Sequence, residues 1–93
     1  MSHPTFQFSL RRDSASQPIL ASCTIIGEAK GFHPVIRRFG SPEEITNALN
    51  RIGIAAGRYA NAMKQIRAGS ETGFDIDQNE AQNFGILYTD TSE

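Results

Sequence analysis

The sequence predicts an α+β domain: a small antiparallel sheet of three to four strands packed against two helices, with a short C-terminal strand and helix added to it. Three observations lead there. Two N-terminal stretches carry apolar side chains at strand spacing, two central stretches carry them at helical spacing, and glycines or turn residues separate the elements. With 93 residues, 39% of them apolar and six of them Phe, the chain can bury one core, and the expected unit is a single domain over residues 1–88 with 89–93 as a frayed polar tail.

Phe6, Phe8 and Leu10 alternate with Gln7, Ser9 and Arg11, which places the apolar side chains on one face of a half-buried first strand. The polar run from Arg12 to Pro18 reverses the chain into a second strand from Ile19 to about Ile26, where Ile19, Ala21, Cys23 and Ile25 share one face and Leu20, Ser22, Thr24 and Ile26 the other. Both faces carry apolar groups, so alternation alone leaves the inward face open. Glycines at 27 and 31 bracket a turn, and Phe32 to Phe39 reads as a third, edge strand in which Arg37 and Arg38 emerge on opposite faces.

Ser41-Pro42-Glu43-Glu44 is a helix start, with a hydroxyl at the N-cap, proline at the first helical position and a glutamate to reach back. Ile45, Leu49 and Ile52 then form an apolar stripe ended by Gly53. A second helix is expected from Ala55 or Ala56 to Ala68, with Tyr59, Met63 and Ile66 as its stripe, Gly69 as its stop, and Gly53 and Gly57 in the turn between the helices. Phe74 and Ile76, alternating with Asp75 and Asp77, read as a short fourth strand. Asp77 and Glu80 repeat the capping pattern for a brief helix in which Ala81 and Phe84 dock before Gly85, and this C-terminal segment is expected to wrap an edge of the sheet.

The formal net charge of −1 hides a division: residues 1–69 hold all nine Lys and Arg against four acids, while residues 70–93 hold six acids and no base. The N-terminal residues show no leader, no apolar run approaches the roughly 20 residues of a membrane span, and Cys23 stands alone as an expected buried thiol, so a cytoplasmic setting without membrane is the expectation. His3 and His33 are the only imidazoles and neither has a neighbouring nucleophile or ligand set in the sequence, so no catalytic residue, metal or cofactor is assigned and the chain is read as no enzyme.

Contact then becomes the expected mode of action, and two sets of residues are candidates for it. Asp75, Asp77 and Glu80 form an acidic segment that would meet a protein or ribonucleoprotein partner. Arg11, Arg12, Arg37 and Arg38 form the alternative, a cationic patch for nucleic acid, while Arg58 at a helix start is placed to anchor a carboxylate instead. A third alternative is a self-associating subunit, a homodimer joined through the exposed edge of the third strand.

The stretch Phe39-Gly40-Ser41-Pro42-Glu43-Glu44-Ile45, leading to Gly57-Arg58-Tyr59-Ala60-Asn61-Ala62-Met63-Lys64-Gln65-Ile66, resembles the helical half of a small phage anti-CRISPR inhibitor. The shared pattern is Phe-x-Ser-x-Glu, then Gly-Arg, an apolar residue, one intervening position, Asn-Ala-Met and a later Ile, over about the middle third of the chain. The resemblance implies an antiparallel sheet with two helices, and a protein that adheres to a bacterial nucleoprotein defence complex and blocks its recognition of DNA without turnover. It departs from that family in having three expected strands ahead of the helices where the inhibitor has four, and in the added segment from Phe74 to Phe84. The inhibitor's contacts lie largely on its sheet, where no residue matches, so none is carried over.

Overall fold

In the computed structural model, which describes residues 3–66 and 69–90, nine elements follow in order among the described residues. They are β1 (Thr5–Arg12), β2 (Ile19–Ile26), β3 (Phe32–Pro34), β4 (Arg37–Phe39), α1 (Pro42–Arg51), α2 (Ala56–Gln65), β5 (Ser70–Ile76), α3 (Gln78–Phe84) and β6 (Leu87–Thr89). β4, β2, β1 and β5 make an antiparallel sheet in that order, and β3 pairs with β6 in a second sheet of two strands. The architecture is α+β, with the helices on one face of the larger sheet.

Register settles which face of β2 turns inward. Phe8 lies opposite Cys23 and Leu10 opposite Ala21, so the buried side of β1 continues through Ile19, Ala21 and Cys23. Phe74 of β5 stacks on Phe8 with ring centroids 4.9 Å apart, and Ile76 extends the same apolar layer. Phe8, Leu10, Ile19, Ile45, Leu49, Phe84 and Ile86 are fully buried, each stabilising the fold by roughly 1.5–3 kcal/mol relative to exposure. Cys23 is buried as expected, and burial pushes its thiol pKa up.

The start of α1 forms where the sequence puts it. Ser41 Oγ accepts the Glu44 N–H at 3.4 Å. The reciprocal arm differs from a standard capping box, because Glu44 Oε1 accepts the N–H of Gly40 at 3.2 Å, one residue before the cap. Gly53 follows the helix at φ +89° and donates to the Asn50 carbonyl at 3.0 Å, which ends α1 as expected. Gly57, by contrast, lies inside α2 and not in the turn. Tyr59 Oη donates to Asn50 Oδ1 at 2.6 Å and ties the two helices together.

Four expectations are corrected. The third strand is two strands: Pro34 has no N–H to extend a ladder, Val35 donates to the Ile86 carbonyl at 2.8 Å, and the chain crosses between sheets at Val35 and Ile36. α2 ends at Gln65, whose carbonyl accepts the Ser70 hydroxyl at 3.1 Å, while extended backbone at Ile66 turns that side chain into the core. The expected end of this helix at Ala68 lies outside the described residues. The C-terminal strand does join an edge of the sheet, β5 pairing along the length of β1, but the helix does not lie on that edge: Phe84 of α3 meets Phe8 at 4.8 Å and Phe39 at 5.6 Å in the middle of the core. The supposed tail begins too early, because Thr89 pairs with Phe32 in β6 and Asp90 donates its N–H to the Gly31 carbonyl at 2.9 Å. Residues 91–93 lie outside the described residues.

Candidate functional site

The face of the larger sheet opposite the helices is left uncovered, and strand alternation decides what it displays. Side chains that point away from the core fall into rows across the strands. One row runs Arg38, Leu20, Arg11, Glu71 from β4 to β5, the next runs Ser22, Ser9, Gly73, and a third runs Thr24, Gln7, Asp75. Ile36, just before β4 and 58% exposed, lies on the same face. Apart from Arg38, these residues line a shallow concavity of about 700 Å³. Small hydroxyl residues form its centre, with Ser9 Oγ and Thr24 Oγ1 hydrogen-bonded at 2.8 Å. Arg38 flanks it on one side and Glu71 and Asp75 on the other.

Gly73 gives this face its local shape. A Cβ at that position would lie 2.3 Å from the Phe8 carbonyl oxygen, so β5 approaches β1 more closely there than any side chain permits. The second row therefore carries no side chain at its β5 end.

The residues expected to bind partners divide between surface and scaffold. Asp75 is exposed on the uncovered face, although its backbone carbonyl accepts from Arg58 Nη2 at 3.0 Å. Asp77 is the N-cap of α3, its carboxylate accepting the Glu80 N–H at 2.8 Å, and Glu80 Oε1 accepts the Asp77 N–H at 3.1 Å in return. Glu80 is also gripped through both oxygens by the Arg58 guanidinium, at 2.5 and 2.9 Å. The acidic segment is thus not one continuous free surface. Arg58 anchors a carboxylate, as its position at the helix start had indicated.

The four arginines divide in the same way. Arg11 and Arg38 lie on the uncovered face, separated by Leu20, and Arg11 is 3.5 Å from Asp13. Arg12 instead donates to the carbonyls of Gln17 and Ala15, at 3.1 and 3.3 Å, and holds the β1–β2 turn. Arg37 lies over the rings of Phe39 and Phe84, at 4.8 and 5.2 Å, and donates to the Phe84 carbonyl at the C-terminal end of α3, where the helix dipole favours a cation. Only two of the four lie on the uncovered face.

Sequence reasoning did not assign Gln7, Ser9, Ser22, Thr24 and Ile36 to a site. For the first four the signal was present in the alternation of β1 and β2, which places Gln7 with Ser9, and Ser22 with Thr24, on one face; Ile36 lies outside both strands. His33 Nε2 lies 2.7 Å from Asp90 Oδ1, with the Tyr88 ring stacked 5.0 Å away, and none of these three residues lines the concavity. Among the described residues, no group of three or more His, Cys, Asp or Glu side chains gathers to hold a metal, and no helix is long and apolar enough to cross a membrane.

The Arg58–Glu80 pair carries a pH dependence. The hydrogen bond from Arg58 holds the Glu80 carboxyl below its usual range, with help from the Asp77 N–H and against the opposing effect of burial. Glu80 therefore stays charged to lower pH in the folded than in the unfolded state. Its contribution is complete above the ordinary carboxylate range, about pH 4.3, and is lost as the pH falls through that value and below. Because the Arg58 side chain keeps 40% of its exposure, solvent screening limits the contribution to under about 1 kcal/mol. In urea titrations across pH, Glu80→Gln should flatten the acidic decline of the unfolding midpoint; an unchanged decline would show that the pair adds nothing.

Compared with known protein families, curated proteins and solved structures, the chain has no significant match.

Proposed function

We propose that the protein is a non-enzymatic binding module that docks the uncovered face of its larger sheet on a bacterial ribonucleoprotein and so blocks recognition of nucleic acid, as a phage or mobile-element inhibitor does. The observation that carries this reading is the face itself. A four-stranded sheet turns its apolar side to the helices and leaves the other as a concavity of small hydroxyl side chains with exposed Ile36 beside them. Such a surface offers hydrogen bonds and apolar contact at low cost in side-chain entropy. Glu71 and Asp75 along β5 add an acidic margin able to compete for a basic groove that otherwise holds nucleic acid. The resemblance of residues 39–66 to an anti-CRISPR inhibitor supplies the class of partner, an RNA-guided DNA-binding complex of the bacterial cytoplasm.

The direct test is a gel-shift titration of such a purified complex with its target duplex. The protein should abolish the shift near stoichiometry, and a folded Ser22→Arg/Thr24→Arg variant, bulky in the middle of the face, should not. A complex that binds its DNA unimpaired, or inhibition indifferent to that variant, would remove the basis for the reading. Direct retention of the duplex by the protein alone, weakening steeply with salt, would favour the nucleic-acid alternative through Arg11 and Arg38.

A further inference from the structure

We infer that the uncovered sheet face is also self-complementary, so that a second copy of the chain covers it in a dimer whose two-fold axis runs along the strands between β1 and β2. That operation exchanges β4 with β5 and β2 with β1 across the interface. It sets Arg38 of each copy over Glu71 of the other, and Ile36 of each over Gly73 of the other. The first match follows from the registers, because Arg38 and Glu71 end the same row; the second is drawn from Ile36 preceding β4 and lining the same concavity as Gly73.

Within one molecule these groups cannot satisfy each other. Arg38 and Glu71 stand three strand intervals apart, roughly 14 Å, and among the described residues neither has an ionic partner within reach. Between two aligned sheets about 10 Å apart, long side chains of opposite charge do meet. The apolar side chain of Ile36, 58% exposed, then enters the place where β5 has no side chain at all. Both charges are exchanged by one rotation, with the apolar knob and the strand position lacking a side chain on the same face, as an isologous contact requires.

The contact is small. Four strands and three rows give a footprint of roughly 300–400 Å² per copy, below the ~800 Å² per partner of a standard interface, so the association is a weak one. A copy seated there excludes any other partner from the face, so this inference goes beyond the proposed docking and is independent of it.

Sedimentation equilibrium from about 10 μM to about 1 mM tests it. The average mass should rise from 10.2 kDa towards twice that value. Arg38→Glu and Glu71→Arg, each folded by circular dichroism, should stay monomeric, because each sets like charges opposite one another. Mixed in equal amounts they should associate at least about tenfold more tightly than either alone, since opposite charges then meet at both contacts. A wild-type protein monomeric throughout, an Arg38→Glu variant that dimerises like wild type, or a mixture that does not associate would each overturn the inference. Failure here leaves the gel-shift result standing, and a dimer that spares DNA binding would count against the docking alone.

Discussion

Replacing Phe84 by alanine should cost roughly 3–5 kcal/mol, a large part of the ~5–15 kcal/mol that stabilises a domain. Phe84 is 2% exposed, stands edge-on to Phe8 at 4.8 Å, and lies against Phe39 and the Arg37 guanidinium. Its loss leaves a cavity bordered by β1, β4 and α3 at once, and removes one of the two rings that support Arg37. Thermal unfolding should shift down by about 15–30 °C, while Ile26→Ser at the half-exposed end of β2 should change stability by less than about 0.5 kcal/mol. A comparable loss at both positions would mean that α3 does not sit at the centre of the core.

The second large effect is expected at Gly73. Its backbone conformation is ordinary, so the cost of a side chain there is steric. The added methyl of Gly73→Ala would lie 2.3 Å from the Phe8 carbonyl oxygen, a backbone atom held by its ladder and unable to rotate away. Either β5 moves off β1 or hydrogen bonds between them break, at a cost of about 2–3 kcal/mol. Urea unfolding should show it as a lower midpoint. Gly53→Ala meets no atom within 4 Å but must hold φ +89°, so its smaller loss of roughly 1 kcal/mol is the strain of that conformation alone. Equal losses at the two glycines would contradict a steric cause at Gly73.

What the sequence made legible follows the range of the interactions involved. The starts of α1 and α3 could be read to the residue because Ser41 with Glu44, and Asp77 with Glu80, act on backbone groups within a single turn. β1 and β2 were legible from alternation. The division of the third strand was not, since what takes up the chain after Pro34 is the Ile86 carbonyl, on a segment too short to show a period of its own. Helix α3 had the right boundaries and the wrong place, because capping says where a helix begins and nothing about what its apolar side meets.

The candidate site was legible only in part for a related reason. Arg37 and Arg38 are neighbours in sequence with opposite fates, one laid over Phe39 and Phe84, the other on the uncovered face. Alternation foretold that separation. It could not foretell that Arg12 would hold a turn, or that Glu80 would be neutralised by Arg58 from another helix, since both depend on carbonyls and side chains that only the folded chain brings near.

The pairing of β1 with β5 has a bearing on how the molecule comes to be assembled. Phe6 has Ile76 as its partner, and Phe32 has Thr89, so each sheet is completed by a strand that comes late in the chain. The β1–β2 hairpin can form early, but it is an isolated ribbon until the late strands arrive, and long loops must lose their freedom before those contacts repay them. During synthesis the apolar side of that ribbon waits for its cover, which makes the interval before α3 and β6 emerge the period in which the nascent chain most needs protection from aggregation.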